Sequence, residues 1–270
     1  MPDPEIPLDL VELLDLAVDL AHGAGRIVRD RQAGDLAVAA KSTPTDLVTE
    51  ADRASERFLV EQLRARRPGD AVLGEEGAEQ AGSSGIRWLL DPIDGTTNFL
   101  YRLPQFAVSV AAERAGQTLV GCVHNPVSGE TFMAMAGTGA WLGSRRLTAH
   151  GPASSLEHAV LGTGFSYDAA RRASQGRVLA GVLPRIANLR RLGAASLDLC
   201  FVAAGRLDAY YEQGLAPWDM AAGLLVAREA GAVVSGLRGR PPDGRIAVAA
   251  TPAVAGELTV LLEELGADDV

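Results

Sequence analysis

Cysteine is nearly absent from this 270-residue chain: Cys122 and Cys200 are the only two, each inside an apolar segment. That excludes a disulfide scaffold, and the expectation is two buried thiols in a reducing compartment. Histidine is almost as scarce. His22, His124, His150 and His158 are scattered and pair with no cysteine, so nothing points to a zinc site. No apolar run approaches the ~20 residues of a membrane span, and the start, MPDPEIPLDL, is acidic where a secretory leader would be basic. A cytoplasmic protein without a membrane partner is expected. Positive charge is the other deficit, 25 Lys and Arg against 34 Asp and Glu, for a net charge of −9. Nucleic-acid surfaces need clustered cations, so no nucleic-acid partner is expected. An anionic phosphate substrate is awkward for the same reason, unless a bound cation reverses the sign locally. Repeats and low-complexity tracts are also missing, whereas 47% hydrophobic and 22% charged residues describe an ordinary globular chain. Its length allows one large domain or two closely packed lobes.

What is there is concentrated in one stretch, WLLDPIDGTTNF, from Trp88 to Phe99. The run Ile86 to Leu90 reads as a buried strand that ends at Asp91 and Pro92. Asp91 and Asp94 flank a proline that fixes the turn, and Gly95, Thr96 and Thr97 leave backbone N–H groups open to a ligand. If Gly95 to Asn98 start a helix, those amides form an anion site. Two carboxylates beside a phosphate-sized cradle suggest Mg²⁺, a hard cation that takes carboxylate and phosphate oxygens together. Asp-Pro and Asp-Gly are also ordinary turn dipeptides, so the motif alone does not decide. Glu75 and Glu76 of GEEG, after the apolar run Ala71 to Leu73, and Asp219 of PWDMAAG, at a helix start after Pro217, add acids that would converge with it at one edge of the sheets.

Periodicity predicts a long helix from Leu8 to about Arg31 and a second beginning at Thr49, where Thr49 and Asp52 have capping-box spacing. Between them, Asp35 to Val48 reads as a hairpin or mobile loop. Strands follow at Phe106 to Glu113, Thr118 to Val123, Glu130 to Ala136 and Ala140 to Leu142, an antiparallel meander. After a soft boundary at His150 to Ser155, strands and helices alternate: a strand His158 to Gly162, helices around Ala169 to Ile186 and Ala195 to Ala204, a strand Leu207 to Tyr211, a helix Trp218 to Ala230, strands at Val233 and Ile246 to Ala250, and a last helix to Leu265. The pattern predicts an α/β (α+β) layered sandwich with lobes at residues 1–150 and 151–270.

KSTPTDLVTEAD (Lys41 to Asp52), LGEEG (Leu73 to Gly77), WLLDPIDGTTNF, LGAASLDLC with AAGRLDAYYEQG (Leu192 to Gly214) and PWDMAAG followed by REAGA together resemble the inositol monophosphatase family of Mg²⁺-dependent, lithium-sensitive phosphatases. The motifs occur in the family's order and spacing from about Lys41 to Gly231, and TTNF looks most like the inositol-phosphate branch. The resemblance implies the α-β-α-β-α sandwich shared with fructose-1,6-bisphosphatase, with the site in the cleft between lobes, and a homodimer. It implies a first metal held by Glu75, Asp91 and the carbonyl of Ile93, and a second held by Asp91, Asp94 and Asp219. Two-metal phosphoryl transfer needs such a bridging carboxylate, because the metals stand roughly 3.5–4 Å apart.

In the implied mechanism a water deprotonated with help from Glu75 and Thr96 attacks phosphorus in line, with Asp94 completing the catalytic set. Phosphate sits on the amides of Gly95 and Thr96, and substrate hydroxyls meet Asp94, the backbone of Gly193, Ala194 and Ala195, Glu212 and Asp219. Some assignments have two readings at this stage. Thr96 is a catalytic hydroxyl or a cap, Asp52 a capping acid or part of a third metal position, and Glu212 a substrate acceptor or an exposed strand-end acid. Lys41, Ser166, Tyr167, Arg171 and Arg172 are unassigned, while Trp88, Trp218, Tyr210 and Tyr211 are expected to pack. The meander is either core or a dimer interface. The substrate expected is a small phosphate monoester, myo-inositol monophosphate, with histidinol phosphate and fructose 1,6-bisphosphate as alternatives and a regulatory role in a transcription complex as an alternative of another class.

Overall fold

The computed structural model describes residues 8–33, 38–40 and 47–269. Helix α1 (Leu8–Gln32) buries Leu13, Ala17, Leu20, Ala24 and Val28 along one stripe, and α2 (Glu50–Arg66) buries Leu59 and Leu63 against it. The start of α2 is where the sequence puts it. Thr49 Oγ1 accepts from the Ala51 and Asp52 amides, and the Asp52 carboxylate accepts from Thr49 N at 2.8 Å, a reciprocal cap. Strands β1 (Val38–Ala40) and β2 (Leu47–Thr49) pair antiparallel as a hairpin. Lys41 lies outside the described residues.

An eight-stranded sheet follows, built from β3 (Ala71–Gly74), β4 (Glu79–Gln80), β5 (Ile86–Asp94), β6 (Ala107–Arg114), β7 (Gln117–His124), β8 (Thr131–Met135), β9 (Gly139–Leu142) and β10 (Arg145–Arg146). Its order is β10-β9-β8-β7-β6-β5-β3-β4, and only β3 and β5 pair in parallel. The strand expected to stop at Leu90 does not stop. β5 runs on through Asp91 and Asp94, pairing Asp91 with Ser109 and Asp94 with Ala107, so three steps on β5 oppose two on β6. Pro92 has no N–H to give the ladder, and the chain absorbs it as a bulge that keeps both acids in the sheet.

The second sheet contains β11 (Val160–Thr163), β12 (Asn188–Arg190), β13 (Ala209–Glu212), β14 (Val233–Ser235) and β15 (Ala247–Ala250), ordered β12-β11-β13-β15-β14. Helices α3 (Thr96–Leu100), α4 (Ala169–Val182), α5 (Ala195–Ala203), α6 (Pro217–Glu229) and α7 (Ala255–Glu264) complete the chain. The helix expected to reach Ile186 ends at Val182 and becomes a 3₁₀ turn, Leu183–Arg185, because Pro184 cannot continue the α ladder. The polar strands β4, β10 and β12 lack the apolar alternation that would have revealed them.

Three apolar clusters separate five layers. One packs α1 and α2 on the first sheet through Trp88, Leu90, Val108 and Val110. The central cluster holds α5 and α6 between the two sheets, joining Leu89, Ala111, Cys200, Tyr210 and Ala249, and a third covers the far face of the second sheet with α4 and α7. The β6–β8 meander is therefore core, covered by α1 on one face and α6 on the other. The α-β-α-β-α order matches the fold expected from the resemblance. Both cysteines are buried free thiols, and no helix among the described residues is long and apolar enough to cross a membrane.

Candidate active site

The site begins where β3 and β5 run side by side. Their register pairs Gly74 with Leu90, and Glu75 N donates to Leu90 O at 3.1 Å, so Glu75 and Asp91 emerge at the same level on neighbouring strands. Side chains alternate along a strand, which puts Asp91 on the face of Leu89, toward the central helix layer. There the N-termini of α5 and α6 meet it. Asp94 accepts from Ala195 N at 3.2 Å, Ser196 N at 2.7 Å and Ser196 Oγ at 2.5 Å, tying β5 to the first turn of α5. Asp219, in the first turn of α6, accepts from Ala216 N at 2.7 Å.

Between these acids the backbone turns sharply. Gly95 has φ +93°, and a Cβ there would stand 3.0 Å from the carbonyls of Gln105 and Gly193. Only glycine fits both the conformation and the close approach. Asn98 of α3 fixes the far side by donating to Gln105 O at 2.6 Å and Leu192 O at 2.7 Å. Thr96 Oγ1 lies 3.1 Å from both Asp52 Oδ1 and the Ile93 carbonyl, and its single proton serves one of them at a time. Asp52 is thus both the cap of α2 and the partner of Thr96.

Electrostatically the cluster is under strain. Burial pushes Asp91 well above the usual carboxylate range, and Glu75, Asp94 and Asp219 push it further; Asp91 and Glu75 share a hydrogen bond that needs a proton between them. Asp94 rises to about 6 through burial, opposed by the Ser196 and Ala195 donors. Asp219 is raised well above its ordinary value by burial, then by Glu75 and Asp94. Asp219 and Glu212 are half-buried, since each opens onto the cavity, and the protein around the rest of each carboxylate desolvates it.

These acids suit a hard divalent cation. Among the described residues, neither Asp91, Asp94 nor Asp219 has a Lys or Arg ion pair, and buried carboxylates need a compensating charge. No group of three or more His, Cys, Asp or Glu among the described residues already stands in coordinating geometry. The hydrogen bonds explain why: Asp94 and Asp219 are turned onto backbone amides and Asp91 onto Glu75 and Ile93 N. The donor chemistry, four acids and a backbone carbonyl all presenting oxygen, fits a hard cation.

A cavity of about 340 Å³ opens on this edge. Of the residues expected at the site, Glu75, Asp91, Ile93, Asp94, Gly95, Thr96, Gly193, Ala195, Glu212 and Asp219 line it. Ala194 does not; it is buried behind Gly95. Glu212 is no exposed strand-end acid: burial raises it to about 7 against the opposing effects of Tyr210 and Arg191, and the Tyr210 hydroxyl donates to its Oε2. Trp88, Tyr210 and Tyr211 are buried as expected, but Trp218 has a face on the cavity. Ser166 and Tyr167 line it too, whereas Arg171 and Arg172 do not, and Arg172 instead donates to Ser166 O at 3.0 Å.

Two features escaped the sequence reading. Arg191, exposed at the rim, lies near enough to Glu212 and Asp198 to oppose the rise that burial imposes on both. Asp198 is 1% exposed in α5 with its Oδ1 unpartnered among the described residues, and burial raises it well above its ordinary value. Neither has a local signal, since an arginine in RRLG and an acid in a helix both read as surface.

A five-layer sandwich that gathers buried carboxylates at a sheet edge beside two helix N-termini is the architecture of a metal-dependent phosphatase. The chain belongs to the inositol monophosphatase family, whose sequence profile matches residues 9–267. It is 45% identical over 273 residues to the inositol-1-monophosphatase SuhB of Mycobacterium tuberculosis, covering 93% of each chain. It is 39% identical over 230 residues to the Nus factor SuhB of Salmonella typhimurium, covering 84% of this chain and 86% of that one. The crystal structure of the extragenic suppressor protein suhB from Bartonella henselae superposes with a TM-score of 0.85 at 34% identity, covering 95% of this chain and 98% of that one. The protein is accordingly a phosphatase.

Proposed function

We propose that the chain is a Mg²⁺-dependent phosphomonoesterase that hydrolyses myo-inositol monophosphate to inositol and phosphate in the cleft between two lobes, residues 1–150 and 151–270. The observation that carries this reading is the convergence of Glu75, Asp91, Asp94 and Asp219 on a cavity whose walls also include Gly95, Thr96 and Glu212. Divalent cations held by Glu75, Asp91, Asp94, Asp219 and the Ile93 carbonyl would neutralise the substrate phosphate and make a water acidic enough to attack.

The remaining chemistry belongs to the chain. The amides of Gly95 and Thr96 bind phosphate oxygens and fix the ester for in-line attack. Thr96 Oγ1 takes a proton from the attacking water as it passes its own to Asp52 Oδ1, with Glu75 as the second acceptor. Glu212 and Asp219 accept hydrogen bonds from the polyol hydroxyls. The backbone of Gly193, Ala194 and Ala195 borders the same ligand. Leaving vicinal hydroxyls unpaired in a closed site is penalised, which makes these acceptors the source of specificity.

The test is phosphate release from myo-inositol 1-phosphate, glycerol 2-phosphate, histidinol phosphate and fructose 1,6-bisphosphate. The reading requires the highest kcat/KM for the inositol ester, and preference for another ester contradicts it. Inhibition by millimolar Li⁺, a homodimer in solution and a cytoplasmic location belong to the same proposal.

A second reading rests on the relatives named Nus factor SuhB, at 38–39% identity. A further role in a transcription complex, without direct nucleic-acid binding, predicts recovery of RNA polymerase in a pull-down; recovery of nothing counts against it.

A further inference from the structure

Helix α2 turns three buried polar side chains, Asp52, Ser55 and Glu56, onto one face, the i, i+3, i+4 spacing that brings side chains together. Each one holds a different segment of the site. Asp52 reaches Thr96 at the start of α3, and Ser55 Oγ donates to the Pro92 carbonyl at 3.2 Å, at the bulge of β5. Glu56 grips the turn that carries Glu75: its Oε2 accepts from Glu76 N at 2.9 Å and its Oε1 from Ala78 N at 3.1 Å.

The turn is built around that carboxylate. Gly74 N donates to Ala78 O at 2.7 Å to close it. A Cβ on Gly74 would lie 2.2 Å from Glu56 Oε2, so the absence of a side chain there is what lets the carboxylate in. Glu75 is then held from both directions, with its own N–H on Leu90 O and the next N–H on Glu56.

We propose that Glu56 is a positioning residue: by clamping the Glu76 and Ala78 amides it sets the direction of the Glu75 carboxylate toward Asp91 and so tunes divalent-cation affinity. The inference rests on the proposed metal-dependent function. Outer groups that orient a ligand typically change metal affinity or activity about 10–100-fold when removed. A misplacement of about 1 Å in a catalytic group can have an effect of the same size. Charge-assisted bonds to two amides are strong enough to hold a turn against such drift.

The experiment compares wild type, Glu56→Gln, Gly74→Ala and Glu61→Gln, measuring Mg²⁺ binding by calorimetry, phosphate release as kcat and KM, and thermal melting. Glu56→Gln keeps the side-chain volume but turns an amide NH₂ toward a backbone donor. Gly74→Ala keeps the charge and displaces the carboxylate. Both should weaken Mg²⁺ binding about 10-fold or more and lower kcat while KM for the ester changes little. Exposed Glu61→Gln, on the same helix, should match wild type.

Folded variants that melt earlier but bind Mg²⁺ as wild type does overturn the proposal, because Glu56 is then structural alone. Failure of both variants to fold overturns it too. A wild-type chain without saturable Mg²⁺ binding contradicts the proposed function instead, whatever the variants do.

Discussion

Thr96 Oγ1 stands 3.1 Å from Asp52 Oδ1, joining the first residue of α3 to the first turn of α2 across 44 positions of sequence. Asp52 is fully buried and raised by burial, with the Thr49 bonds and Thr96 opposing that rise. Thr96→Ala should therefore lower kcat about 100-fold, as loss of proton-transfer assistance does, with a small change in melting temperature. Steady-state kinetics beside a melt check this: a large loss of stability with kcat intact would make the hydroxyl a cap only.

Gly95→Ala should be inactive for a different reason. Its Cβ would meet two carbonyl oxygens at 3.0 Å in a left-handed conformation that costs a non-glycine residue about 1–2 kcal/mol. The turn must shift, moving the amides expected to bind phosphate. Inorganic phosphate, titrated directly by calorimetry, should bind this variant more weakly than the wild type.

Glu212→Gln separates binding of the polyol from chemistry at phosphorus. The variant should raise KM for a polyol phosphate about 10-fold, the scale of one charge-assisted hydrogen bond, and leave p-nitrophenyl phosphate, which has no hydroxyls, nearly unchanged. Equal losses on both esters would remove Glu212 from the polyol subsite.

Away from the site, His124 and His22 share the Thr131 hydroxyl, at 3.0 Å and 2.8 Å, with their rings 4.5 Å apart. Burial, then the neighbouring His22, lowers His124 to about 4, and burial lowers His22 as well. A histidine lowered on folding is neutral in the folded chain while the unfolded chain takes up a proton below about pH 6.5. Stability is thus complete above that pH and falls as pH drops from about 6.5 toward 4. Urea unfolding at pH 7 and pH 5 should show the loss, and His124→Gln should flatten the slope by close to one proton.

Local signals carried much of this structure. Thr49 and Asp52 announced α2 because a capping box involves only neighbours, and Pro217 before Asp219 announced α6 for the same reason. The continuation of β5 through DPID was not legible, since it depends on pairing with Ser109 and Ala107, which no nearby residue encodes. Nor was the clamp made by Glu56, an acid on a helix whose partners are amides 20 and 22 residues away. Arg191 and Tyr167 reach the cavity only because β11 and β12 pair in the second sheet and bring their C-terminal loops to its rim. The acids were recognisable as a set by their motifs, while their mutual distance from cations emerged only in three dimensions.

On the proposed function, Asp91, Glu75, Asp94 and Asp219 hold the cations that drive phosphate release. The most direct measurement is release from myo-inositol 1-phosphate by wild type and Asp91→Asn after chelation with EDTA, followed by Mg²⁺ titration. Turnover should vanish after chelation, return saturably with Mg²⁺ in the wild type, and stay lost in Asp91→Asn. Undiminished turnover in EDTA, or full recovery of the variant, would contradict that function.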